Sequence, residues 1–258
     1  MIDLHAHVLP GIDDGPEREQ DTIEILKESS EKGVKSIVAT PHFNNNSTYN
    51  KDYLIKEINR FNKIARNEEI EITLFPGAEY QMNRNLSKEI NDNGAITLAN
   101  SSYLLVEFPF DSMPVDSFNI FHDLKLLGYK PVIAHPERCA DLIKNPEKLY
   151  DFVDSGIYAQ LNSGSILGRY GSRVKKTAEI FIKNNLVQLI GSDLHSTGKR
   201  NQLMPTAIKE IENISKEITI NFSENAERVI SNKKLKLLNY REPSSSVFSL
   251  PKFIADIL

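Results

Sequence analysis

Short, nearly unbroken apolar runs recur along this chain, and stretches of helical periodicity separate them. Ser36 to Thr40, Tyr103 to Glu107, Pro131 to Ala134, Tyr158 to Asn162 and Val187 to Ile190 have this character. Ile2 to Val8, Glu71 to Phe75 and Ala95 to Leu98 complete the predicted strands. Strands this short and apolar are buried on both faces, which points to a parallel sheet with helices in the crossovers. Helices are predicted from Glu17 to Lys32, ended by Gly33, and from Lys51 to Asn67, with Leu54, Ile58, Phe61 and Ile64 at helical spacing. Others run from Pro114 to Leu127 and from Ser172 to Asn184, with one capped by Asn145 ahead of Pro146. Two more, near 206–213 and 224–231, finish the compact part. A closed β/α barrel and an open doubly wound sheet both fit 258 residues arranged this way. No Gly-x-Gly-x-x-Gly follows the first strand, which argues against a dinucleotide fold.

Composition narrows the function classes. A net charge of −4 and a pI near 5.9 do not suit a protein whose main affinity is for nucleic acid or anionic membrane. No apolar run approaches the roughly 18 to 20 residues of a membrane span. The opening residues lack a basic segment, and Asp3, His5 and His7 interrupt their apolar run, so a cleaved signal peptide is not expected. Cys139 is the single cysteine, which rules out an intrachain disulfide and fits a reducing compartment. The expected location is cytoplasmic. A cysteine-dependent phosphatase needs Cys, five residues, then Arg, whereas the sixth residue after Cys139 is Asn145.

Metal-binding residue types gather where the strands end. Period-two alternation places His5 and His7 on one side of the first strand, roughly 7 Å apart. His42 follows the second strand, His135 follows Pro131–Ala134, and His195 follows the last strand. Glu79, Glu107 and Asp193 also lie at or just past strand ends. Five of six histidines therefore sit at strand ends, and in a parallel barrel all those ends share one rim. Imidazole and carboxylate without thiolate suit manganese, iron, zinc or magnesium. His122, inside a predicted helix, reads as a surface or packing residue, and Asp13 as a turn carboxylate or helix cap.

Seven stretches, in order, carry a family resemblance. They are Ile2-Asp-Leu-His-Ala-His-Val-Leu-Pro-Gly-Ile-Asp-Asp-Gly15, Ala39-Thr-Pro-His42, Pro76-Gly-Ala-Glu79, Leu104-Leu-Val-Glu-Phe-Pro109, Ile133-Ala-His-Pro-Glu-Arg138, Gln160-Leu-Asn-Ser-Gly-Ser165 and Gly191-Ser-Asp-Leu-His195. The chain resembles the polymerase and histidinol phosphatase (PHP) superfamily. Within it, the chain is most similar to the manganese-dependent bacterial protein-tyrosine phosphatases found with capsule and exopolysaccharide synthesis. The resemblance implies a distorted (β/α)7 barrel and three divalent ions at the C-terminal rim, manganese by family. The residues themselves set the domain at 1–234, with a less regular Pro- and Ser-containing tail over 235–258. Carried over, the first ion falls to His5, His7, Glu79 and Asp193. The second shares Glu79 and adds Glu107 and His135, and the third takes Asp14, His42 and His195. Arg138 and Arg200 are implied to hold the phosphate, a task suited to planar guanidinium. Phe43 departs from relatives that often carry a polar or basic residue after the corresponding histidine, and Ser196-Thr197-Gly198 departs from another rim loop.

The chemistry implied is hydrolysis of a phosphomonoester by a metal-activated hydroxide. A tyrosine leaving group, with a pKa of about 10, depends less on a general acid than an alkyl oxygen does. The substrate implied by the resemblance is the phosphotyrosine tail of a bacterial tyrosine kinase that controls polysaccharide export. The alternatives are a small-molecule phosphatase of the histidinol-phosphatase type and, further off, a PHP-type exonuclease. The absence of a basic, aromatic-rich stripe argues against the exonuclease.

Overall fold

The structure is a computed structural model that describes residues 1–43, 47, 49–198 and 200–244. Most of the expected tail, residues 245–258, lies outside the described residues. The strands, in chain order, are β1 (Ile2–Ala6), β2 (Ser36–Ala39), β3 (His42–Phe43), β4 (Thr73–Pro76), β5 (Glu79–Gln81), β6 (Tyr103–Glu107), β7 (Lys130–Ala134), β8 (Tyr158–Asn162) and β9 (Leu189–Gly191). They form two parallel sheets, one ordered β1-β2-β4 and one ordered β3-β5-β6-β7-β8-β9. The predicted α/β class with parallel strands is therefore observed. The count differs from the seven strands expected, since nine strands in two sheets are present among the described residues.

Helices fill the crossovers: α1 (Glu19–Glu31), α2 (Lys51–Asn67), α3 (Leu86–Asn93), α4 (Ser117–Leu126), α5 (Ala140–Lys144), α6 (Glu147–Asp154), α7 (Ser163–Ile166), α8 (Ser172–Lys183), α9 (Met204–Glu212) and α10 (Lys216–Ile230). The local sequence accounts for α2 well. The Asn50 side chain accepts a hydrogen bond from Tyr53 N at its start, and Leu54, Ile58, Phe61 and Ala65 bury one stripe. Those residues join a large apolar layer between the helices and the sheets. A second, smaller apolar cluster draws Leu4, Val38, Leu105, Val132, Tyr158 and Leu189 from six different strands. Side chains two residues apart share a strand face, so Glu107 stands on the same face as Leu105, one step nearer the C-terminal end.

The first and last strands meet at those ends. Asp193 N donates to His5 O at 2.9 Å, His7 N donates to Leu194 O at 2.8 Å, and Ala6 and Leu194 form an isolated parallel bridge. Residues from opposite ends of the sequence thus share one rim. Ala95–Leu98 is not a strand. Both edges of β6 are taken by β5 and β7, and Ile96 N donates instead to the Tyr80 hydroxyl. Asn145 does not cap the helix after it, because its side chain donates back to Asp141 O of α5. His122 is exposed on α4, in keeping with a surface residue.

Candidate metal centre

The fold brings nine metal-ligand-type side chains to the C-terminal strand ends. His5 lies within β1, and His7 and Asp14 follow it. His42 opens β3, Glu79 opens β5 and Glu107 closes β6. His135 follows β7, and Asp193 and His195 follow β9. Four sets each converge with their ligand atoms within 4.8 Å of one another: His7, Asp14, His42 and His195; His5, His7 and Asp193; His5, Glu79 and His135; His42, Glu79 and Glu107. Glu79 belongs to two sets, as a bridging carboxylate would. Asp14, His42 and His195 fall in one set, as the resemblance implies, with His7 added. The other sets divide differently, since Glu79 joins His5 and His135 in one and His42 and Glu107 in another.

Hydrogen bonds outside the cluster orient the imidazoles. Gln160 Oε1 lies 2.8 Å from His5 Nδ1, and an amide oxygen can only accept, so His5 carries its proton on Nδ1. Asp13 Oδ2 lies 2.6 Å from His7 Nδ1 and fixes the same tautomer there. His195 Nδ1 donates to Asp193 O at 2.9 Å. As neutral imidazoles, all three would present Nε2 lone pairs to the cluster. His5 Nε2 and His7 Nε2 are 3.3 Å apart, and His195 Nε2 faces Asp14 Oδ1 at 3.0 Å. Lone pairs packed this closely need cations between them. His195 Nε2 and Glu79 Oε2 are buried without a well-formed hydrogen bond. An all-imidazole and carboxylate donor set with inward lone pairs fits divalent ions of the manganese, iron, zinc or magnesium kind.

Asp13, Gln160 and Asp3 are functional candidates that sequence reasoning did not assign. Asp13 also accepts from Gly15 N and His42 N, which ties the turn after β1 to β3. Asp3, fully buried, accepts from His5 N, Ser192 N and Gln202 Nε2, and so pins β1 to the loop that carries Asp193 and His195. One signal was available for Gln160: a glutamine within an apolar, buried strand needs a polar partner.

The backbone at two of these residues is unusual. His135 and Asp193 have φ of 32° and 52°, in the left-handed region. Such strain persists only where surrounding structure over-determines it, and it clusters at functional sites. His135 N is held by Gln160 O and Asp193 N by His5 O. Gly191 is needed for close approach, since a Cβ there would lie 2.6 Å from His5 Cβ and 2.9 Å from Gln160 Oε1.

Protons offset the crowding in the metal-free protein. Burial disfavours charge on His7, but hydrogen bonds to Asp13 and Glu79 override it and raise its pKa to about 10. Burial and the neighbouring Glu79 charge push Glu107 up to about 8. Burial opposes ionisation of Glu79 as well, yet His5 and the hydrogen bond from His135 hold it well below the usual carboxylate range. Burial draws His42, His135 and His195 below the ordinary histidine value.

Both predicted arginines line the cavity above the cluster, about 380 Å³ in volume, with Asp14, His42, Phe43, Glu79, Gln81, Glu107, Phe110, His135 and Asp193. Arg138 Nη1 donates to Asp193 Oδ2 at 2.7 Å. Arg200 spans two carboxylates, with Nη2 on Asp193 Oδ1 and Nη1 on Asp14 Oδ2, each at 3.0 Å. Asp193 thus anchors both guanidinium groups at the edge of the ligand cluster, where an oxyanion would meet them. Cys139 is buried away from this chemistry, and burial pushes its thiol up.

Known proteins are similar to this chain over most of its length. Tyrosine-protein phosphatase YwqE of Bacillus subtilis (strain 168) is 34% identical over 249 residues, covering 96% of each chain. Tyrosine-protein phosphatase CpsB of Streptococcus agalactiae serotype III (strain NEM316) is 28% identical over 90% of this chain and 99% of its own. A crystal structure from work on YwqE and on CpsB of Streptococcus pneumoniae, described there as unique metal-dependent tyrosine phosphatases, superposes with a TM-score of 0.88. It is 33% identical and covers 94% of this chain and 99% of that one. Residues 1–231, which hold every ligand-type side chain at the rim, match the family described as "Capsular polysaccharide synthesis, CpsB/CapC", and the chain belongs to that family.

Proposed function

We infer that this protein is a metal-dependent protein-tyrosine phosphatase. The observation that carries the reading is the convergence of five imidazoles and four carboxylates beneath two arginines, in a chain that aligns end to end with tyrosine phosphatases. His5, His7, Glu79 and Asp193 would hold one ion, Glu79, Glu107 and His135 a second, and Asp14, His42 and His195 a third. Manganese is our choice among the metals this donor set suits. Bound divalent ions supply charge neutralisation and acidify a coordinated water. Arg138 and Arg200 orient the phosphoryl group and offset the charge that builds on its oxygens. Asp193 keeps both guanidinium groups in register with the cluster. The substrate we propose is the phosphotyrosine tail of a tyrosine kinase that regulates polysaccharide export, met in the cytoplasm. Among the described residues no helix is long and apolar enough to cross a membrane.

We also read the two sheets as one distorted seven-membered barrel over residues 1–234. β2 and β3 are consecutive segments interrupted at Thr40-Pro41, as are β4 and β5 at Gly77-Ala78, which reduces nine strands to seven. The bridge from Ala6 of β1 to Leu194, just past β9, and the small apolar cluster fed by six strands support closure.

The test is a metal-stripped preparation given back single metals and assayed on a phosphotyrosine peptide, a phosphoserine peptide and histidinol phosphate. Hydrolysis of the phosphotyrosine peptide above the other two is expected, highest with manganese. No phosphotyrosine hydrolysis with any metal would overturn the reading, and preference for histidinol phosphate would move it to the small-molecule branch.

A further inference from the structure

We propose that Phe43 and Phe110 form an aryl clamp on the wall of the metal cavity, which selects the phenyl ring of the phosphorylated residue. This rests on the phosphatase reading above and names the residues that would set its specificity. The cavity has two kinds of lining. Glu79, Glu107, His135, Asp193 and the two arginines are ionic, and they suit a phosphoryl group and its counter-ions. Phe43 and Phe110 are apolar rings that a phosphate or a short alkyl ester has no use for.

Both rings are fixed. Phe43 follows His42 directly within β3, and Tyr49 and Tyr80 pack on it edge to face, each with centroids 5.4 Å away. Neither tyrosine lines the cavity, so Phe43 is braced from behind. Phe110 lies three residues past β6, with its ring 5.9 Å from that of His135 and the Arg138 guanidinium 4.5 Å from its centroid. Tyr170 covers the guanidinium as well, at 4.3 Å. Phe110 nevertheless remains 48% exposed, at the mouth of a site built mainly of charged groups. An aromatic ring entering between two such walls gains apolar burial and ring–ring contact. Geometry adds discrimination. In phosphotyrosine a whole ring separates the phosphate from the peptide backbone, whereas in phosphoserine a single Cβ–O link does. Only the former can place its phosphate among the ions while its ring fills the clamp.

Phe110 also steadies Arg138, so changing it alters phosphate binding in general. Phe43 packs on Tyr49 and Tyr80 and so gives the cleaner test. Binding of phenylphosphonate and methylphosphonate to manganese-loaded protein is measured by calorimetry for the wild type, Phe43→Leu, Phe43→Tyr and Phe110→Leu. The wild type is expected to prefer the phenyl ligand by about tenfold or more. Phe43→Leu should reduce that ratio by about threefold to tenfold and leave methylphosphonate affinity within about twofold. Phe43→Tyr, which keeps a ring, should retain the ratio, and Phe110→Leu should lower affinity for both ligands and lower the ratio too. Equal binding of the two ligands by the wild type, or parallel loss of both in Phe43→Leu, overturns the clamp. Retained discrimination in a protein that fails to hydrolyse phosphotyrosine peptide overturns the phosphatase reading alone.

Discussion

The candidate metal centre has a buried half and an open half, and they are built differently. His5, His7, Glu79, His135 and Asp193 are almost wholly buried, and the two β1 histidines are locked by Gln160 and Asp13. At the open end the Asp14 side chain is 54% exposed and that of His42 36% exposed. Asp14 is held there by contacts to Arg200 and His195 rather than by the packing of a strand. The fold pre-forms the first half, while the second half is completed by whatever cations and anions enter it. Removing a ligand from the buried half should therefore cost most. His135→Ala is expected to lower phosphatase activity by about 10²- to 10³-fold or more, the scale for losing a central electrostatic group. Asp14→Asn should cost clearly less and should lower the occupancy of one ion only. Rates and metal content by elemental analysis check both, and equal losses in the two variants would erase the distinction between the halves.

A smaller effect is expected where the buried half is oriented rather than formed. Asp13→Asn keeps shape but removes the carboxylate that fixes His7 and also accepts from Gly15 N and His42 N. Loss of such an outer partner typically costs about 10- to 100-fold in metal affinity or activity. Gln160→Leu should act similarly through His5, with the fold retained, as judged by far-ultraviolet circular dichroism. If metal affinity in Asp13→Asn equals that of the wild type, orientation of His7 is not what makes the buried half tight.

Protons separate the halves further. His7, raised to about 10, and Glu107, raised to about 8, both hold protons at neutral pH in the metal-free protein. A metal must displace them, so affinity falls as pH falls and rises as pH climbs toward 8, by about tenfold per pH unit for each proton released. His42 and His195 are drawn below their ordinary value and are already neutral at pH 7, so filling the open end should release none from them. Calorimetry of manganese binding at pH 7, in buffers of different ionisation enthalpy, should show proton release for the tight ions and little for the weakest. Proton release that is the same for every ion would contradict this division.

The strand ends were legible because apolar runs stop abruptly at Pro, Gly or a charged residue, and the ligand types fall there. Eight were placed in this way and Asp14 by the resemblance, and the structure gathers all nine. Strand-end spacing alone could not choose between Asp13 and Asp14, and only the resemblance pointed to Asp14. The two are identical and adjacent, and only the turn geometry gives Asp13 the His7 Nδ1 atom while leaving Asp14 to face His195. Asp3 was visible as a residue on the His5 side of β1, but its partners Ser192 and Gln202 lie about 190 positions away in sequence. Ala95–Leu98 misled for a related reason. Its composition suits a strand, yet strand formation depends on a free sheet edge, and β6 offers none. The two-residue strand β3 and the three-residue β5 are too short for any periodicity to register.

Cys139 should give the smallest effect, although it directly follows Arg138 in the chain. Its thiol is buried, and burial pushes its pKa above the ordinary value, so thiolate is scarce at neutral pH. The side chain packs in the large apolar layer rather than toward the cavity that holds Arg138. Cys139→Ala is expected to leave phosphotyrosine hydrolysis within about twofold of the wild type and to cost about 1 kcal/mol of stability from lost packing. Alkylating reagents should likewise leave the folded enzyme active. A rate that collapses in Cys139→Ala, with metal content and melting temperature little changed, would mean that a sulfur nucleophile takes part and that neither half of the metal cluster accounts for the chemistry.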